Sequence, residues 1–86
     1  MILWLLLSCA PPDACDVMCD AALVRYEGCM EEQGLEWGNN FADEADFHDW
    51  CDTWSWEQRQ LGEEGRCEDM TPVFEDGTCA EWFDAW

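Results

Sequence analysis

Apolar positions from Cys15 onward recur with the period of a helix. Cys15, Cys19, Ala22, Tyr26, Cys29 and Gln33 follow one another at spacings of 4, 3, 4, 3 and 4. Met18, Leu23 and Met30 widen the same stripe, so one face of a helix is apolar. Asp13 stands where an N-cap belongs and Gly34 where a left-handed stop belongs. Residues 34–40 hold Gly34, Gly38, Asn39 and Asn40, which is loop chemistry. Asn40 is the expected cap of a second helix, with Asp43 in its first turn, where a carboxylate suits the helix dipole. Its stripe is Phe47, Trp50, Cys51, Trp54 and Leu61, closed by Gly62 and Gly65. Pro72 and Asp76-Gly77 read as turns. Thr78 and Glu81 have the spacing of a capping box, which predicts a short helix from Cys79 toward Trp86. No strand-like alternation is present. The expected fold is all-α over residues 14–86: a disulfide-stapled antiparallel helical hairpin with a short C-terminal helix.

Composition sharpens this. Seven of 86 residues are cysteine, dense enough in a short chain to indicate an oxidising compartment. A domain of this size buries a limited core and usually carries staples. Twenty-one acids stand against three arginines, Arg25, Arg59 and Arg66, for a net charge of -18 and no lysine. Nucleic acid and anionic lipid headgroups, which are bound by neutralising phosphate, are therefore excluded as partners. Cations, basic proteins and neutral ligands fit the charge. The bland alternative is that the acids keep a tryptophan-rich chain in solution.

Ile2 to Leu7 form an unbroken apolar run. It falls well short of the roughly 20 residues needed to span a bilayer and matches the apolar core of a signal peptide, without a preceding positive residue. Leu6-Leu7-Ser8-Cys9 resembles the lipobox of bacterial lipoproteins. The resemblance implies cleavage before Cys9, a lipid on the Cys9 thiol, and a membrane anchor. Leu7 departs from the strictest form of the motif. Ala10 in the second mature position resembles the outer-membrane sorting signal rather than the inner-membrane one. The domain reading is thus 1–8 signal peptide, 9–13 lipidated cysteine and short tether through Pro11-Pro12, and 14–86 the folded domain. Conventional cleavage is one alternative, with Ser8 and Ala10 two apart; it would put the unfavourable Pro11 first and leave a periplasmic or secreted protein. A retained apolar N-terminus is the other.

Either cleavage leaves six cysteines, an even set suited to a disulfide framework. In a hairpin turning near residues 36–40, partners sit symmetrically about the turn. This predicts a nested set: Cys29–Cys51, Cys19–Cys67 if the chain continues in the same direction past Gly62, and Cys15–Cys79 by remainder. Cys19 and Cys29 have the spacing of one half of a twin CX9C hairpin. Fifteen residues separate Cys51 from Cys67, so the other half is missing and no function carries over.

Other chemistry is sparse. Glu44, His48 and Asp52 are helical neighbours at four-residue steps, weak candidates for a divalent cation in a chain otherwise read as holding neither metal nor cofactor. A solvated acidic face with one passenger histidine is the plainer reading. There is no C-x-x-C pair for zinc or redox work, no phosphate loop for a nucleotide, and no catalytic triad: Ser8 and Ser55 are the only serines. Carboxylates are so numerous that none is singled out as an acid–base pair. Trp56 lies roughly 200° from Trp54 around the helix and cannot share its seam; it could carry Arg59 over its ring. Either the C-terminal helix covers it with Trp82, Phe83 and Trp86, all then serving the core, or it is exposed for binding, in which case Trp56, Trp82, Phe83 and Trp86 are the candidate partner contacts. The functional expectation is a non-enzymatic structural or interaction module, lipid-anchored at the cell envelope in the outer membrane. The alternatives are an acidic divalent-cation-binding protein and, less favoured, an enzyme using a carboxylate pair.

Overall fold

The computed structural model describes residues 13–86. The expected signal peptide 1–8, the expected lipidation at Cys9 and the expected tether through Pro11-Pro12 lie outside the described residues.

All regular structure among the described residues is helical. Helix α1, Ala14–Gln33, starts where the Asp13 carboxylate accepts the Cys15 N–H at 2.8 Å. It stops at Gly34, whose φ of 68° is the left-handed stop that favours glycine. Leu35 N–H then donates to the Met30 carbonyl at 2.8 Å, satisfying the last turn. The loop folds Phe41 inward against Tyr26 and Phe47. Helix α2, Glu44–Leu61, is capped by Asp43 rather than Asn40. Asp43 accepts the Asp46 N–H at 2.8 Å, and Asp46 accepts the Ala42 N–H at 2.9 Å. Asn40 instead donates its amide to the Tyr26 hydroxyl at 3.1 Å.

Gly62, φ 70°, ends α2 and turns the chain round. Helix α3, Gly65–Asp76, follows almost at once. The sequence reading had turns and irregular chain here, because Pro72 lies inside this helix. The proline is tolerated because it and Glu68, whose carbonyl its missing N–H would have bonded, are both exposed to solvent. The opposite face buries Cys67, Met70 and Phe74. Helix α4, Cys79–Asp84, begins with the expected capping box: Thr78 accepts the Glu81 N–H at 3.2 Å and Glu81 accepts the Thr78 N–H at 2.9 Å.

α1 is the central element and packs against the other three. Tyr26 meets Phe47, Cys19 meets Cys51 and Asp13 meets Arg59, so α2 runs antiparallel to α1. Cys15 meets Cys67 and Arg25 meets Gly77, so α3 runs parallel to α1. The core between them is largely aromatic. Tyr26 is its hub, ringed by Trp37, Phe41, Phe47 and Trp82.

The disulfides are Cys15–Cys67, Cys19–Cys51 and Cys29–Cys79, a staggered set that replaces all three nested pairs. Two physical facts displaced Cys15–Cys79, Cys19–Cys67 and Cys29–Cys51. Cys29 is roughly 80° around α1 from Cys19 by the helical period, so it faces α4 while Cys19 faces α2. The reversal at Gly62 also brings Cys67 back to the start of α1. The bridges close separations of 52, 32 and 50 residues, each stabilising by about 4 kcal/mol in the chain-entropy model. The buried Ser55 hydroxyl donates to the Cys19 sulfur at 3.4 Å, the oxidised sulfur having no proton of its own.

Candidate functional site

The four aromatic contacts expected from sequence divide into two kinds. Trp82 is only 2% exposed. α4 lays it between Tyr26 and Phe74, and its indole N–H donates to the Ala22 carbonyl at 3.0 Å. That satisfied donor is why the ring can be buried. Trp86 is half-buried against Trp50, Trp54 and Phe74. Both belong to the core rather than to a contact surface. Trp86 is also what closes the seam that Trp50 and Trp54 begin.

Trp56 and Phe83 remain outside, 59% and 42% exposed. They do not form one patch. Trp56 lies one turn from Arg59, which pairs with Asp13 at the start of α1. Phe83 packs on Tyr26 and Trp82, roughly 20 Å further along α1 at 1.5 Å per residue.

The surroundings of Trp56 are acidic. Asp52 one turn before it and Glu57 beside it are both exposed. Arg59 does not cover the ring. Its guanidinium reaches away to Asp13 at 2.7 Å and Asp16 at 3.6 Å. The hydrogen bond from Arg59 is the main reason the Asp13 carboxyl titrates below its ordinary range; the Cys15 N–H adds to it. The other two arginines are also engaged. Arg25 donates to the Gly77 carbonyl. Arg66 donates to Gln58 at 3.1 Å and lies 5.3 Å over the Trp54 ring, so the cation–π pair forms there and not at Trp56. Every arginine is committed within the fold, and beyond the Arg59 pairs with Asp13 and Asp16 most of the acidic surface has no internal counter-charge.

A second surface feature was not anticipated from sequence. Between α1 and α3 runs an open groove of about 530 Å³. The less exposed lining residues, Ala21 and Phe74, form its floor; the exposed Val24, Gly28, Asp20, Glu75 and Asp76 form its rims, and Arg25 also lines it. Val24 is 72% exposed, and Val17, two turns earlier, is 39% exposed. Periodicity hinted at this in retrospect: Val17, Ala21, Val24 and Gly28 lie at helical spacing on the face opposite the core stripe.

The divalent-cation candidates come together only in part. His48 Nε2 lies 3.8 Å from Glu44 Oε1, both partly exposed. Among the described residues no group of three or more cysteine, histidine or acidic side chains is gathered for a metal. The Glu81 carboxyl titrates below its ordinary range because it accepts the Thr78 N–H and, next, interacts with the Thr78 side chain, a helix-capping role. No helix among the described residues is long and apolar enough to cross a membrane.

No protein-family model matches this chain, and neither the curated proteins nor the solved structures hold a match to it.

Proposed function

We propose that the chain is a non-enzymatic interaction module that works outside the cytoplasm, anchored at the cell envelope through a lipid on Cys9. The observation that carries the interaction reading is Trp56, a large aromatic ring left in solvent on an acidic helix face while the other tryptophans of the described domain pack into or against the core. Tryptophan is enriched among the residues that dominate binding energy at protein interfaces, which favours this reading. Export is supported by a framework in which all six cysteines after Cys9 are oxidised in pairs. Cys9 is then the odd thiol, at the end of the lipobox-like Leu6-Leu7-Ser8-Cys9.

Intact mass of protein recovered from membranes tests the anchor. The expected mass lacks residues 1–8, carries acyl chains on Cys9, and rises by six hydrogens on reduction of three disulfides. An unmodified Cys9, or a retained leader, contradicts it. Capture from native envelopes with and without Trp56→Ala tests the contact. A defined partner lost with Trp56→Ala and kept with Phe83→Ala supports Trp56; equal recovery removes it from the assignment.

A further inference from the structure

The groove between α1 and α3 combines three features that the folding of this chain does not require. The first is Gly28. It sits inside α1, is exposed, and a Cβ built on it meets nothing within 4 Å. Glycine is, after proline, the poorest residue for an exposed helix interior, so neither backbone conformation nor internal packing accounts for it here. The second is Val24, 72% exposed in the middle of the same strip. The third is the rim: Asp20 on α1 and Glu75 and Asp76 on α3 flank an apolar floor. Arg25, the one cation at the groove, is turned to the Gly77 carbonyl.

The strip has a shape as well as a chemistry. Val17, Ala21, Val24 and Gly28 are spaced 4, 3 and 4 residues apart, over three turns of α1. Spacing of that kind is what a second helix needs to pack side chains along a seam. The small residues Ala21 and Gly28 allow its backbone to come close. A groove of about 530 Å³ accommodates a few anchoring side chains. Charge selects among helices. A second copy of this chain brings the same acidic rims and a net charge of -18, so like charges would face one another. A helix with apolar anchors flanked by lysine or arginine meets both the floor and the rims.

We propose that the α1/α3 groove is a docking site for a cationic amphipathic helix, seated on Val24 and Gly28 and held at its flanks by Asp20, Glu75 and Asp76. This surface is separate from Trp56, which does not line the groove. It stands or falls independently of the contact assigned to Trp56.

Titration calorimetry at physiological salt tests it on the disulfide-bonded protein. The probe is a helical peptide of about 18 residues with leucines at heptad a and d positions and lysines beside them, long enough for the three-turn strip. Saturable one-to-one binding is expected. Gly28→Leu fills the groove and replaces glycine by a better helix former, so it should weaken binding at least tenfold while the thermal midpoint stays level or rises. Val24→Ser should weaken binding comparably. A peptide of identical composition with its leucines scattered should bind at least tenfold more weakly. Unchanged affinity in folded Gly28→Leu and Val24→Ser overturns the proposal. So does equal binding of the scattered peptide, which would show attraction by charge alone, or a loss seen only with Trp56→Ala.

Discussion

Truncating two tryptophans separates core from surface in this molecule. Trp82 is buried, with ring centroids of Tyr26, Phe74 and Phe83 at 5.1, 5.9 and 4.9 Å and its N–H on the Ala22 carbonyl. Trp82→Ala empties the space between α1, α3 and α4. Large-to-small changes of this type cost about 3–5 kcal/mol, because the lost transfer free energy is joined by a cavity that relaxes only in part. That is a large share of the total stability of a small domain, about 5–15 kcal/mol. Trp82→Phe keeps most of the apolar area and loses the hydrogen bond, so it should cost about 1–2 kcal/mol. Trp56→Ala removes a ring that touches little and should stay within about 0.5 kcal/mol of the parent. Urea titration with disulfides intact, followed by far-UV circular dichroism, measures all three without depending on tryptophan emission. A cost under about 1 kcal/mol for Trp82→Ala, or a larger one for Trp56→Ala, would refute the division into core and surface drawn above.

Other perturbations probe the ends of the helices. Asp13→Asn keeps a capping side chain but loses the charge that pairs with Arg59; for this partly exposed pair the expected loss is about 0.5 kcal/mol at neutral pH. Because the folded carboxyl titrates below its ordinary range, its stabilisation is present above that range and lost as pH falls through the folded value. Urea midpoints of the two proteins should therefore converge at strongly acidic pH, and a gap that persists there argues against the ion pair. Thr78→Ala removes the cap of α4 and should cost about 1 kcal/mol, with amide protection falling first in residues 79–84. Gly77→Ala would drive a Cβ into the Val73 carbonyl oxygen, which Gly77 N–H already bonds at 2.8 Å; a thermal melt should show a loss of about 1–3 kcal/mol.

Local punctuation was legible in the sequence wherever one residue decides the backbone. Gly34 and Gly62 stop helices as expected because only the left-handed conformation closes those turns cheaply. The Thr78–Glu81 box formed as its spacing implied. Most of the stripes of α1 and α2 were readable because a buried face repeats with the helical period; Gln33 and Leu61, expected at their ends, are exposed, because no neighbouring element covers that side of the last turn in either helix. α3 was hidden by Pro72, whose cost depends on whether the freed carbonyl meets solvent, a tertiary fact. Asn40 and Asp43 are both good caps, and the choice fell to Asp43 when Asn40 was drawn to the Tyr26 hydroxyl. Disulfide partners depended on the direction of α3 and on a rotation about α1, neither of which cysteine spacing records. Trp82 and Trp86 looked surplus to a two-helix seam; with α3 and α4 in place they complete the core. The groove was unreadable for the same reason, since one of its walls is α3.

The staggered disulfide framework sets the direction of α3, the burial of α4 and the existence of the groove, and trypsin can test it in one digestion. The chain offers cleavage only after Arg25, Arg59 and Arg66. Three fragments then carry the six paired cysteines: one ending at Arg25 with Cys15 and Cys19, one of residues 26–59 with Cys29 and Cys51, and one of residues 67–86 with Cys67 and Cys79. Pairing as Cys15–Cys67, Cys19–Cys51 and Cys29–Cys79 joins all three into a single covalent species that comes apart only on reduction. Release of residues 26–59 as a separate peptide before reduction, closed on itself by Cys29–Cys51, would contradict it.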